Sequence, residues 1–520
     1  MTITVKHKYL VFPVGTLSAE KLLSFSENDK ILYKLKIKID NINPDFYSYV
    51  DLSRFMGKTL NIGVEPEMEL CFTESDELDP DNLYSETLRP QIHFSTKNGW
   101  VNDPNGLLYF NGYYHLFYQH NPCEPTWGNM HWGHAVSKDM IHWKEENIAL
   151  FPDDTGMMFS GSGIVDSENR LGLGDKDKPV ALLFYTATNG FNQRLAYFQD
   201  DYNDIKKYEE KPALPRYIGS NRDPSIAYVE ELSAYVIALF IDKDRYALFK
   251  SNSFTEWELM QEISIPEERE CPDLFSIVAS DGKKKWLLSG AHGKYLVGDF
   301  LDGKYVASQE VKSLQFGLSA YAGQSFSSVP GDRVVRLDWH RWYIKTPRFY
   351  GQMGIPTELS LKAENGEYLL CALPIREIES LYDGEEYYEN ISFDENTACK
   401  IPLQKRPYHI KLSASVTDKN NVLTFSVFGR IFICNLLENT LKIGENIGPL
   451  TQNPDKIDID MIVDKCSIEL YLDGGKITFA TAAGFTVSDY NLPYLVVNST
   501  ANFTIDTVEL HPLKSIWKEN

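Results

Sequence analysis

At 520 residues the chain is longer than one hydrophobic core accommodates, so two or three domains are expected. Its 43% hydrophobic and 24% charged residues are those of an ordinary globular protein, and 73 acidic against 51 basic side chains leave a formal charge of -22. Such a charge repels phosphate backbones and anionic lipid, which excludes nucleic acid and membrane surfaces as partners.

Residues 1–88 read as a small N-terminal β domain with an acidic linker. "ILYKLKIKID", "FYSYVDLSRFMGKTLNIGV" and "MELCFT" alternate as strands do, and "ESDELDPDNLYSE" reads as a solvated connection. The opening "MTITVKHKYLVFPVG" has too few apolar residues before Gly15 for the apolar region of a signal peptide. Seven scattered cysteines without a CxxC pair argue against a disulfide framework or a zinc site, and a cytoplasmic location is expected.

From residue 89 to 372 short β-rich runs recur. "YYHLFYQ" centres on Leu116, "ALLFYT" on Leu183, "YVIALF" on Ile237, "WLLSG" on Leu287 and "VVRLDW" on Leu337, at steps of 67, 54, 50 and 50 residues. Each is preceded by a turn and another apolar strand. "AVSKDMIHW" and "LFKSNSFTEW" echo one another, each with a Ser six residues before a Trp. Five all-β units with a period near 50 predict radial repetition, a five-bladed β-propeller, over the competing long sandwich or solenoid.

In a propeller the first strand of every blade lines a central channel, so the residues opening those strands converge. They are Asn102-Asp103, Phe159-Ser160, Arg222-Asp223, Glu270 to Asp273, and Tyr321 to Gln324. "GWVNDPNG" (99–106) alone is a good turn string, in which Asp103 needs no further role. Asp103, Asp223 and Asp273, however, lie 13, 14 and 14 residues before their repeat centres, a phase that turn statistics do not supply. Like charges gathered in one cleft are costly and mark functional sites. They suit either a divalent cation or glycoside cleavage, which needs a carboxylate nucleophile and a carboxyl proton donor. Neither an EF-hand string nor a His-rich cluster accompanies the acids, whereas Trp100, Trp127, Trp132 and Phe159 do, and aromatic faces suit a sugar.

Past the fifth unit, "PIREIESLY" spaces Ile375, Ile378 and Leu381 helically, predicting a linker helix within 373–385. From 386 to 520 alternation returns in "YHIKLSASV", "VLTFSVFG" and "SIELYLDGGKITFAT", with a hairpin signal at Asp473-Gly474-Gly475. A C-terminal β-sandwich is expected there, buttressing the propeller.

Six ordered blocks, "GWVNDPNG", "YQHNP", "WGNMHWGHAVS", "FSGSG", "RDP" and "ECPDLF", resemble the signature of glycoside hydrolase family 32, the β-fructosidases that include invertases, inulinases and levanases. The resemblance covers about residues 89 to 520. It implies an all-β protein, a five-bladed propeller followed by a sandwich, that releases fructose from β-fructofuranosides with retention, exo-acting, through a fructosyl-enzyme. Carried onto this sequence, Asp103 is the nucleophile, Glu270 the acid/base, and Asp223 a carboxylate gripping fructose hydroxyls and stabilising the transition state. Trp100, Asn102, Gln119, Trp127, Phe159, Ser160, Arg222 and Trp339 shape the substrate pocket, and no cofactor or metal is expected. Without the resemblance, Trp127 and Trp339 read equally well as core aromatics. Glu270 must carry a proton at working pH, so neighbouring negative charges are expected to raise its pKa. Cys271 beside it has no local His and reads as structural. One departure is "GLSAYAGQSF", where Ser319 and Ala320 replace the family's Asp-Phe before Tyr-Ala, altering the leaving-group rim. A fructosyltransferase using the same intermediate and a non-catalytic glycan-binding propeller are the alternatives. A homo-oligomer through the sandwich or the N-terminal domain is compatible with all three.

Overall fold

Strands make up nearly all the regular structure of the protein in the computed structural model, which describes residues 1–78, 83–208, 211–341, 346, 348–394, 397–451, 455–482 and 492–517. Residues 79–82 of the acidic stretch lie outside the described residues. The only helical turns among those described are Ser53–Phe55, Glu230–Leu232 and Arg376–Leu381. None of these is long and apolar enough to cross a membrane. The predicted helix after the fifth unit is thus the 3-10 turn Arg376–Leu381, with Ile378 and Leu381 buried beneath it.

The N-terminal residues form two antiparallel sheets. One orders Thr2–Thr4, Thr59–Glu65, Lys21–Glu27 and Lys30–Ile37, leaving Lys30–Ile37 on an edge, and the other orders Phe46–Asp51, Tyr9–Val14 and Thr73–Ser75. Phe12, Phe25, Leu35, Val50 and Leu60 fill the core between them, joined by Cys123 and Phe151 from farther along the chain.

Five sheets follow, opened in turn by Gly99–Phe110, Met158–Asp166, Arg222–Val229, Asp273–Val278 and Ala320–Ser325. Leu116, Leu183, Ile237, Leu287 and Leu337 all fall on the second strand of their sheet, so the spacing read in the sequence follows a real structural period. The echoed Ser and Trp are one turn used twice. Met140 and Phe254 are left-handed, and the Trp143 and Trp257 indoles donate to the carbonyls of those residues at 2.9 and 3.0 Å.

The opening strands touch in cyclic order, and Ala320–Ser325 returns to Gly99–Phe110. Polar side chains span the joints. Gln324 donates to Gly161 O at 3.2 Å, Ser162 to Pro224 O at 2.8 Å, and Leu274 N donates to Ser225 Oγ at 3.1 Å. Phe349–Tyr350 then lies parallel to Gly99 and Trp100, adding a late strand to the first sheet.

The C-terminal residues build two six-stranded sheets whose facing side chains, among them Ile410, Phe425, Ile459, Leu470 and Ile505, share one core. Ile468–Leu472 and Ile477–Thr481 pair across the anticipated hairpin. Gly475 there has φ +84°, and a Cβ on it would stand 2.3 Å from Ala372 O, so the turn docks against the fifth sheet only as glycine.

A buried charge network ties these sheets to the ring. His93, just before the first sheet, approaches Asp464 at 2.8 Å through Nδ1 and Glu469 at 3.6 Å through Nε2, while His340 Nε2 lies 3.1 Å from Glu469. Burial alone would lower the His93 pKa, but the two carboxylates outweigh it and lift it to about 9. Its contribution is therefore complete below the ordinary imidazole pKa, roughly 6.5, and is lost as pH rises through about 9. Asp464 and Glu469, both held below the ordinary carboxylate range, lose theirs as pH falls. His93→Ala is expected to cost about 3–5 kcal/mol in urea unfolding near neutrality, because it takes the imidazole from the buried Asp464 carboxylate and leaves Glu469 with His340 alone. Its deficit against the wild type should shrink above pH 9.

Candidate active site

The strand openings are distorted where the sequence places its candidate residues. Register shifts fall between Val101 and Pro104, Phe159 and Gly161, Arg222 and Ser225, and Tyr321 and Gln324. A bulge breaks the in-out alternation and re-aims a side chain. Asp223, Glu270, Cys271 and Ala322 hold φ of 61°, 46°, 37° and 54°, left-handed values that cost energy in residues carrying a Cβ. Such strain persists where packing imposes it, and here it turns carboxylates toward one place.

That place is a cleft of about 220 Å³, lined by the three acids and the eight pocket residues that the resemblance implies, together with Tyr321, whereas Trp132 is fully buried behind it with its indole donating to Phe159 O at 3.0 Å. Ser160 Oγ donates to Asp103 Oδ2 at 2.7 Å. Arg222 Nη2 donates to Glu270 Oε1 at 2.6 Å, and the Tyr321 hydroxyl donates to Glu270 Oε2. Arg222 Nε lies 3.6 Å from Asp223 Oδ2, which also accepts from the Cys271 backbone N at 3.3 Å. The Cys271 thiol sits 3.5 Å from Asp103 Oδ2 and 3.7 Å from Asp223 Oδ2. Burial and these carboxylates push the thiol pKa well up, so Cys271 is a neutral spacer between two acids.

Aromatic rings form the walls. Trp100 stacks on Tyr350 at 4.3 Å and its indole donates to Asn102 Oδ1 at 2.7 Å, while Trp339 packs between Trp100 and Tyr321 and is only 8% exposed. Gln119 is fixed by donation to Met158 O at 2.9 Å. Trp127 meets Phe159 edge-on at 6.2 Å and is 56% exposed, so it stands at the mouth and not in a core.

Two sequence expectations fail here. Asp273, in phase with Asp103 and Asp223, does not enter the cleft. Its strand opens without a bulge, and its carboxylate accepts from Ser325 N and Oγ, both at 3.0 Å, across the joint with the fifth sheet. Glu270, expected to have a raised pKa, is lowered instead. Burial alone would raise it, but the hydrogen bonds from Tyr321 and Arg222 win. Burial instead raises Asp103, and it lifts Asp223 to about 7, since Arg222 offsets only part of the effect and Glu270 and Asp103 add to it. Tyr321 was overlooked as a ligand of Glu270. The signal available was its place at the opening of the fifth first strand.

Ser319, expected at the leaving-group rim, does not line the cleft: it is buried and accepts from Ala482 N at 2.8 Å, joining the fifth sheet to the C-terminal sheets.

The family model described as the glycosyl hydrolases family 32 N-terminal domain matches residues 93–372. The chain belongs to glycosyl hydrolase family 32. A levanase of Bacillus subtilis (strain 168) is 28% identical over 84% of this chain and 72% of its own length. A levanase of Bacillus sp. (strain L7) is 25% identical over 98% of this chain and 62% of its own. Among solved structures, the exo-inulinase from Aspergillus awamori superposes with a TM-score of 0.74, covering 84% of this chain and 100% of that one at 23% identity, which speaks to the fold.

Proposed function

We propose that the protein is a retaining, exo-acting β-fructosidase that releases fructose from β-fructofuranosides through a fructosyl-enzyme. Its body is a five-bladed propeller (89–372) backed by a β-sandwich (386–520), with residues 1–88 as a separate N-terminal domain. The cyclic contacts of the five opening strands and the core shared by the two C-terminal sheets support this division. The seven cysteines are all unpaired, which supports a reducing, cytoplasmic setting.

The observation that carries the activity is the joint presence of Asp103 and Glu270 in a cleft of about 220 Å³, room for one furanose ring between aromatic walls. Asp103, oriented by Ser160, attacks the anomeric carbon as the glycosidic bond breaks, and Glu270 gives its proton to the leaving oxygen. Glu270 then takes a proton from water, which attacks the same carbon and frees Asp103. Asp223, fixed by Cys271 N and Arg222, grips fructose hydroxyls beside the reacting centre.

In the free protein burial raises Asp103 and lifts Asp223 to about 7 while Glu270 is held low by its donors, so the proton of the acid cluster is not kept on Glu270. The cluster titrates as a unit, and substrate binding has to bring that proton to Glu270. kcat/KM should therefore fall as pH rises through about 7. In Tyr321→Phe the alkaline limb should move to higher pH, because loss of the hydroxyl donor favours protonated Glu270. The pH dependence of kcat/KM on sucrose checks both statements. The activity itself is tested by chromatography of products from sucrose, inulin and levan incubated side by side. Fructose as the first product supports the reading, and absence of fructose from all three ends it.

A further inference from the structure

We propose that the N-terminal domain is a specificity element of the cleft: its edge strand holds the 121–131 segment so that Trp127 stands at the mouth, and this sets how tightly the fructoside binds. The inference rests on the fructosidase reading above and adds a role for the domain lying before the family match, which begins at residue 93.

Trp127 belongs to the connection between Tyr113–Asn121 and His131–Ser137, a stretch without strand structure. A long connection carrying a half-exposed indole has few contacts of its own to fix it. Here the contacts come from the neighbouring domain. Lys30–Ile37 is an edge strand, and the outward backbone groups of Lys36 are met by one side chain: Lys36 N donates to Asn129 Oδ1 at 2.8 Å, and Asn129 Nδ2 donates to Lys36 O at 2.7 Å. The amide of Asn129 thus completes the sheet edge as another strand would. Just beyond, Lys38 N donates to Glu124 Oε1 at 2.7 Å. The Tyr33 hydroxyl and His131 Nε2 are 2.9 Å apart.

Apolar contact reinforces this seam, since Cys123 is fully buried in the core of the N-terminal sheets. Within the segment the strain is passed on. Asn129 is left-handed at φ 45° and also donates to Asn121 Oδ1 at 3.3 Å, while Asn121 Nδ2 donates to Thr126 O at 2.9 Å. Trp127 lies between these anchors, two residues from Asn129. Asn129 and Glu124 are accordingly positioning residues: they act through Trp127 and touch neither acid.

Because the chemical step is untouched, loosening the segment should weaken substrate binding and leave turnover alone. In the full-length protein, Asn129→Ala and Glu124→Ala are each expected to raise KM for sucrose about 3–10-fold with kcat within about twofold. Glu124→Gln keeps an acceptor for Lys38 N and should stay near wild type. In a Trp127→Ala background, adding Asn129→Ala should change KM no further, since the two then share one effect. Wild-type KM in both single variants, or a full Asn129→Ala penalty in the Trp127→Ala background, would overturn the proposal. Wild-type protein inactive on every fructoside would instead overturn the fructosidase reading, so the two failures are distinguishable.

Discussion

Asp103→Asn should lower turnover of sucrose by roughly 10⁴-fold or more while leaving the fold and the affinity for fructose nearly unchanged. The substitution is nearly isosteric, and the Ser160 hydroxyl can still donate to the retained side-chain oxygen, so the cleft keeps its shape. What is lost is the group proposed to form the ester. Asp103 is also a buried carboxylate whose pKa is raised by its surroundings, so its removal relieves a charge the fold holds at a cost. Thermal unfolding of Asp103→Asn should accordingly match or exceed that of the wild type. Full loss of activity without loss of stability is the combination expected of a nucleophile. Activity within tenfold of wild type would show that another group attacks.

Glu270→Gln is expected to lose about 10²–10⁴-fold in kcat on sucrose. An aryl fructoside with an activated leaving group needs little proton donation, so its loss should be far smaller. Equal losses on both substrates would contradict the proton-donor role. The variant should also lose the alkaline limb of its pH profile on sucrose. Arg222 and Tyr321 would remain against the new amide, so their packing is preserved and the comparison isolates the proton.

Much of the architecture was legible because the apolar runs centred on Leu116, Leu183, Ile237, Leu287 and Leu337 are second strands, each buried over most of its length. The acids were partly legible for the same reason. Asp103 and Asp223 share a phase and a place, while Asp273 shares only the phase. The difference lies in backbone angles. Asp223 is left-handed and Asp103 stands in a bulge, whereas Asp273 opens a regular strand and Glu270, three residues earlier, reaches the cleft through a left-handed φ. Spacing along a chain carries no record of such local twists. The lowered pKa of Glu270 was hidden likewise, since counting nearby negative charges omits which donors face them. Arg222 was visible as a neighbour of Asp223 in sequence, but its guanidinium lies closest to Glu270. The seam between Lys36 and Asn129 joins positions 93 residues apart and belongs to packing alone.

The pairing of Phe349–Tyr350 with Gly99 and Trp100 bears on how the enzyme comes into being. The wall beside Asp103 is finished by residues made some 250 positions later, with Tyr350 stacked on Trp100. A nascent polypeptide still on the ribosome at the fourth sheet therefore lacks part of its own sugar cradle. Premature termination anywhere before residue 350 should yield inert product, however well the earlier strands have folded.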